Sequence, residues 1–427
     1  MTKPLNSERK SNLKIAFITW RFPNWHNTFI FYEICELLKL DHKISIFSIE
    51  DSEDKIPTNL NCKIHYFSDF IDKKPVNKHI TTKFLNSSKK FLLKKPLFKK
   101  INLMKNEFLS RFSKKSNFPL TQYSEFGKEV LETFPKIARH LKSFDIIHAG
   151  FGNNPATAAM ILSKLSHIPY TFETHAYDLF VDFAHSQEKI ASTTAIFTIS
   201  DYNKKFLLEQ HNCDKNKIIL KRVTYNNISS NFKTTTSTKE TLIVSASRLH
   251  PIKALTESIE AFNLAFKTNK TLRYVIIGDG PLKANLQEQI KSLGLTQIIT
   301  LPGKLSNPEV FEYLSKATMF LSLSKLNTDG DRDGIPTSLI EAMSIGLPVI
   351  TTQISGIPEL VEDGFNGILT KPGDITTVAK KILLLASSPT LSQKLGSEAR
   401  KRVQQDFNIK NNIELMSTVW TEIKGLT

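Results

Sequence analysis

Lys14-Ile-Ala-Phe-Ile-Thr-Trp20 and Lys43-Ile-Ser-Ile-Phe-Ser-Ile49 are two short apolar runs separated by a helical pattern over about 28–40. Near-continuous apolar runs of this length read as strands covered on both faces. Strand, helix, strand in that order is the repeating unit of a doubly wound α/β domain. Asp145-Ile-Ile-His-Ala149, Tyr170-Thr-Phe-Glu-Thr174 and Ala195-Ile-Phe-Thr-Ile199 continue the series. After a polar, Ser/Thr-rich stretch over 226–240 the alternation starts again. Strands are expected at Thr241-Leu-Ile-Val-Ser-Ala246, Tyr274-Val-Ile-Ile277, Ile298-Ile-Thr-Leu301, Met319-Phe-Leu-Ser-Leu323 and Pro348-Val-Ile-Thr351, with helices over 255–266, 282–293, 308–317 and 337–345 between them. The expected organisation is a Rossmann-like domain over 1–225, a linker over 226–240, a second Rossmann-like domain over 241–405, and a closing helix over 406–427 that returns to the first domain. Two such domains leave a cleft, and ligands of these sheets bind beyond the carboxyl ends of the strands.

The 427 residues exceed one ordinary core, which agrees with two domains. No apolar run reaches the roughly 20 residues needed to span a bilayer, and the polar first 13 residues show no signal-peptide pattern. Cys35, Cys62 and Cys213 are scattered and lack metal-ligand spacing, which points to a reducing, cytoplasmic setting and away from zinc. Of the net charge of +16, residues 73–115 alone supply +13, so the basic character belongs to one segment. Within it Leu97, Ile101, Met104, Phe108 and Phe112 fall at helical spacing beside lysines. That pattern suits an amphipathic element on an anionic membrane surface, at the inner face of the plasma membrane, or a stripe packed on the first domain. Nothing resembles a nucleic-acid-binding fold.

The most informative motif is Asp329-Gly-Asp-Arg-Asp-Gly-Ile-Pro-Thr-Ser-Leu-Ile-Glu341. Acidic residues and a glycine precede a helix start, and Glu341 lies eight residues after Asp333. Free amides at a helix start suit an anion such as a diphosphate. Gly334 permits close backbone approach, and Pro336 is tolerated in a first helical turn. Asp329, Asp331, Asp333 and Gly334 also match an EF-hand loop in part, but its twelfth position is Ile340 rather than a bidentate Glu. Ser247-Arg248-Leu-His-Pro-Ile-Lys253 places two cations after a strand, where they can neutralise a diphosphate. Gly278-Asp-Gly-Pro281 reads first as a tight strand-to-helix turn.

These residues resemble the retaining glycosyltransferases of family 4, with the GT-B fold of two facing Rossmann-like domains, and in particular bacterial exopolysaccharide transferases of the colanic acid and amylovoran type. The resemblance implies transfer of a sugar from a nucleotide-diphosphate sugar to a glycan or polyprenyl-linked acceptor, with retention and without a metal or other cofactor. The family's Glu, seven residues, Glu pattern falls on Asp333 and Glu341. The resemblance places Asp333 and the backbone of Gly334, Ile335, Pro336 and Thr337 against the donor, and Glu341 on the ribose. Arg248 and Lys253 match the family's diphosphate cations, with Ala254 where a glycine is usual. Lys304 and Leu305 match the stretch whose backbone meets the base. His175, in Phe172-Glu-Thr-His175-Ala-Tyr-Asp178, matches the histidine facing the donor sugar. His26, Asn27 and Asp178 are implied on the acceptor side. Asp333, His26, Asn27 and Gly150 depart from the usual Glu, Ser, Glu and His. Ser355-Gly356-Ile-Pro358-Glu359 is read as structural. The other readings weighed are a GT-B epimerase or phosphorylase and a sugar-nucleotide-binding scaffold.

Overall fold

The structure is a computed structural model and describes residues 12–24, 28–54, 60–71, 120–223 and 240–426. The basic segment 73–115 and nearly all of the expected linker lie outside the described residues, as do His26 and Asn27.

Two parallel sheets organise the chain. The first contains β1 (Lys14–Arg21), β2 (Lys43–Glu50), β3 (Lys63–Tyr66), β4 (Ile146–Ala149), β5 (Tyr170–Thr174), β6 (Ala195–Thr198) and β7 (Ile218–Leu220), in the order β3-β2-β1-β4-β5-β6-β7. The second contains β8 (Thr241–Ala246), β9 (Leu272–Ile277), β10 (Ile299–Gly303), β11 (Met319–Ser322), β12 (Val349–Thr352) and β13 (Ile368–Thr370), in the order β10-β9-β8-β11-β12-β13. In each sheet the strand order reverses beside the first strand, between β1 and β4 and between β8 and β11, while all strands stay parallel. That switch point is where doubly wound sheets open a crevice. The expected strands and helices are all present, with ends moved by a few residues. β3, β7 and β13 are additions to the expected set.

The pleat explains the apolar runs. In β1, Ile15 and Phe17 enter one core while Ala16 and Ile18 enter the core on the opposite face. In the second sheet Ile243, Tyr274 and Ile276 face one core, and Val244, Val275 and Ile277 the other. Strands covered by helices on both sides have no polar face to show.

The last helix, Ile409–Leu426, packs on the first sheet's half of the molecule. Trp420 is fully buried there, and its indole N–H donates to Thr171 Oγ1 at 3.0 Å. Ser417 Oγ meets His42 Nε2 at 2.7 Å, and Lys424 pairs with Asp145 at 3.0 Å. Trp420→Ala removes a large buried ring and leaves a cavity, which typically costs about 3–5 kcal/mol. The expected result is a lower unfolding temperature by calorimetry, with Trp420→Phe losing much less.

Candidate functional site

The second sheet's contribution begins where β8 ends. A short 3-10 turn, Pro251–Lys253, follows, and Ala254 takes a left-handed φ of 45° before helix Leu255–Thr268. A residue with a Cβ is strained there. That is the physical reason a glycine suits this position. The turn aims Lys253 back across the end of β11, where its Nζ lies 2.6 Å from Asp333 Oδ1. Ser324 Oγ donates to the other oxygen, Oδ2, at 2.6 Å. Asp333 is only 8% exposed, so these two partners take the place of solvent around its carboxylate. Gly278 brings the next loop against this one: a Cβ there would come within 1.8 Å of the Ser247 carbonyl. The Gly-Asp-Gly turn is therefore a packing device.

Helix Thr337–Ser344 starts immediately after. Its N-cap is Pro336, extended at ψ 127°, with no side chain capping the first turn. Pro336 was expected inside that turn. Instead it precedes the helix, and its carbonyl accepts from Leu339 and Ile340. The uncapped start leaves the Thr337 end of the helix suited to an anion. Ile335 buries its side chain in the second sheet's core, so only its backbone faces the site. Glu341 stands one turn further on. Burial pushes its carboxyl up to about 7, against the opposing pull of a hydrogen bond with Asn307. Asn307 begins the helix after Lys304 and Leu305, so the Glu341 carboxyl lies beside the start of the helix that follows that segment.

Across the cleft, β5 ends at Thr174 and presents His175. Its Nε2 lies 3.2 Å from the Gly150 carbonyl and 3.7 Å from Glu173 Oε1. A carbonyl only accepts, so Nε2 carries the proton of a neutral ring and Nδ1 is left as an acceptor. Burial pulls the His175 pKa below its ordinary value, although Asp178 opposes this. Behind it lies a fully buried ion cluster: Lys221 Nζ donates to Glu33 at 2.5 Å and to both Glu173 oxygens at 2.7 and 2.8 Å. Burial alone would lower the Lys221 pKa, but the two carboxylates outweigh it and raise it.

Asp178 corrects an expectation. Placed on the acceptor side by resemblance, it is 2% exposed, and its two oxygens accept from the Gly152 and His175 backbone N–H groups at 2.7 and 2.9 Å. It fixes the loops after β4 and β5 and has no free face toward an acceptor. His148, one strand away, is a core residue against Phe17, Phe197 and Trp420.

The two halves meet at the site. A Cβ on Gly334 would come within 2.8 Å of Ile199 Cδ1 and 3.6 Å of Ala176 Cβ, so the loop after Asp333 touches the segment after His175. Arg332 crosses the same boundary, over the Phe180 ring at 4.6 Å and donating to Tyr202 Oη at 2.9 Å. Arg248 lies near Asp331, whose carboxyl burial pushes above its ordinary value against the opposing pull of His250 and Arg248. Sequence reading missed Ser324, Arg332 and the Lys221 cluster. Arg332 and Lys221 are defined by partners far along the chain, and Ser324 meets Asp333 across an irregular loop, so no local pattern reveals any of them.

Residues 227–402 match the family model described as Glycosyl transferases group 1. The amylovoran biosynthesis glycosyltransferase AmsK of Erwinia amylovora is 27% identical over 415 residues, covering 93% of this chain and 96% of that protein. A relative named for colanic acid biosynthesis, WcaL of Salmonella typhimurium, is 38% identical over 168 residues, 39% of this chain and 41% of its own length. Among solved structures, Anabaena Alr3699/HepE in complex with UDP and glucose superposes with a TM-score of 0.69 at 15% identity, over 96% of this chain and 100% of that one. TarM gives a TM-score of 0.70 at 15% identity, over 96% and 99%. At these identities the two structures establish a shared fold.

Proposed function

The chain is a glycosyltransferase of the GT-B fold, with a glycosyl transferases group 1 domain over residues 227–402, and from that premise we propose how its cleft works. The donor is a nucleotide-diphosphate sugar. Its ribose hydroxyls donate to Glu341, its base lies along the backbone of Lys304 and Leu305, and its diphosphate meets Arg248, Lys253 and the uncapped helix start at Thr337. The sugar then lies between the Asp333–Gly334 loop and His175. The observation that carries this reading is the contact of Gly334 with the segment after His175, which closes one site from two halves.

The chemistry is transfer with retention at the anomeric carbon. The leaving diphosphate oxygen takes the acceptor hydroxyl's proton, and Arg248 and Lys253 stabilise the departing charge. These cations supply the positive charge, so no metal is assigned a role and a chelator should leave transfer intact. Asp333 is engaged by Lys253 and Ser324, which supports a role in holding the lysine over one as a covalent nucleophile. The acceptor is a glycan, and a polyprenyl-linked one is proposed. Association with an anionic membrane is proposed from the sequence charge of 73–115 alone. Among the described residues, no helix is long and apolar enough to cross a membrane.

The test uses the purified full chain with UDP-, GDP- and ADP-sugars. Thermal shift identifies the bound donor, and product NMR with a polyprenyl-linked acceptor gives the anomeric configuration. An inverted product would overturn the mechanism, and failure to bind or turn over any donor would overturn the donor assignment. Co-sedimentation with anionic liposomes decides the membrane proposal.

A further inference from the structure

We infer that Glu359 and Asn203 form a positioning relay that sets the His175 backbone from the boundary between the two halves. The inference rests on the reading that the His175 segment meets the donor sugar.

Glu359 belongs to the second half, in the short helix Ile357–Leu360 after β12. Its carboxylate reaches the first half, where Oε2 and Oε1 accept from the backbone N–H groups of Asp201 and Tyr202, each at 2.8 Å. These are the first two residues of helix Asp201–His211. Ser200 Oγ accepts from Asn203 N–H at 3.0 Å and the Ser200 carbonyl from Lys204 N–H at 3.0 Å. The amides of Asp201, Tyr202 and Asn203, which a helix start leaves unpaired, are thus satisfied, two of them by the opposite half, and Lys204 makes the first ordinary helical bond. Arg222 neutralises the arrangement, donating to Glu359 and, at 3.0 Å, to Asp201. A Cβ on Gly356 would come within 2.9 Å of Ser200 Cβ, so the two halves are in full contact here.

The helix so anchored carries Asn203 in its first turn. Asn203 is fully buried, and its Nδ2 donates to the His175 carbonyl. That carbonyl can only accept, so the amide orientation is forced. The opposite atom, Oδ1, is then buried with no hydrogen-bond partner among the described residues. A buried amide left half-satisfied is a poor choice for stability alone. Its position is explained by what it holds, the peptide between His175 and Ala176, and Gly334 packs beside the Ala176 side chain. A shift of Glu359 would tilt the helix start, move Asn203 and rotate that carbonyl.

The test exploits the unpaired Oδ1. Asn203→Leu is close in volume and removes the orphaned acceptor along with the donor. The variant trades the orphaned Oδ1 for an unpartnered His175 carbonyl, so the full chain is expected to stay folded with an unfolding temperature close to that of the wild type and to bind nucleoside diphosphate within about twofold of it. Its kcat should fall by about 10–100-fold, as misplacement near a reacting centre does. Glu359→Gln is expected to lower kcat by about tenfold, and the double variant to be no slower than Asn203→Leu, because the two act in series. Unchanged kcat in Asn203→Leu, or a double variant whose losses multiply, overturns the relay. Amide hydrogen exchange reads it without turnover. Exchange over His175–Asp178 should quicken in both single variants, and no change there overturns the inference even if transfer is normal. A wild type that transfers no sugar would count against the donor-site reading, and the exchange arm would still decide the relay.

Discussion

Replacing Lys253 by alanine is expected to lower kcat for sugar transfer by about 10²–10³-fold, the usual loss when one preorganised donor to a developing negative charge is removed. The same change should destabilise the protein. Asp333 is nearly buried and Lys253 is its ionic partner at 2.6 Å, so deleting the lysine leaves an uncompensated carboxylate with only the Ser324 hydroxyl. Breaking a buried pair on one side costs about 3–5 kcal/mol, and the slight exposure of both side chains places this pair at the lower end. The two effects separate in the double variant Lys253→Ala/Asp333→Asn. A neutral amide can keep a hydrogen bond to Ser324 and carries no charge to compensate, so the unfolding temperature should largely recover while kcat stays low. Recovery of both together would mean that Lys253 acts only through stability.

Glu341→Gln should weaken donor binding by about 10–100-fold, the worth of a hydrogen bond to a charged group. It should also make the donor-free protein more stable at pH 8. Burial raises the folded-state pKa of Glu341 from its ordinary 4.5 to about 7. A carboxyl so raised contributes stability below about pH 4.5 that is lost as pH rises through about 7. Above pH 7 the wild type therefore holds a poorly solvated charge, at a cost on the order of 1–3 kcal/mol for a side chain that is only partly exposed. Glutamine removes that cost, so the unfolding temperatures should diverge at pH 8 and converge below about pH 4.5. In the wild type, nucleoside-diphosphate affinity should be flat above pH 8 and about tenfold weaker at pH 6, because the ribose hydroxyls need the ionised form. Calorimetric titration across this range checks the sign. Affinity that rises on acidification would exclude an ionised Glu341 as the ribose acceptor.

How far the site was legible depended on whether its parts were local. Arg248 and Lys253 stand out as candidates because cations directly after a strand and before a helix form a local pattern. Asp333 and Glu341 stand out as candidates because their spacing and the glycine and proline between them lie in one stretch. Asp178 was misread: its pattern is local, but its burial, and hence its use as a clamp on Gly152 and His175, is not. Pro336 was placed one position too far into the helix, since sequence marks a helix start only to within a residue or two. β3, β7 and β13 were overlooked because strands of four, three and three residues at or near a sheet edge carry too little apolar signal.

The sequence by itself determined the doubly wound class and its repetition, because strands buried on both faces must be apolar throughout and helices between them must be periodic. It also identified the cations and carboxylates that follow the strands. Only the tertiary structure decided what those groups do to each other. Lys253 meets Asp333 across 80 residues, Asn203 meets the His175 carbonyl across 28, and Glu359 meets the Asp201 amide across 158. Each pairing is fixed by the packing of whole elements, and a buried polar group takes as its partner whichever group that packing brings within reach.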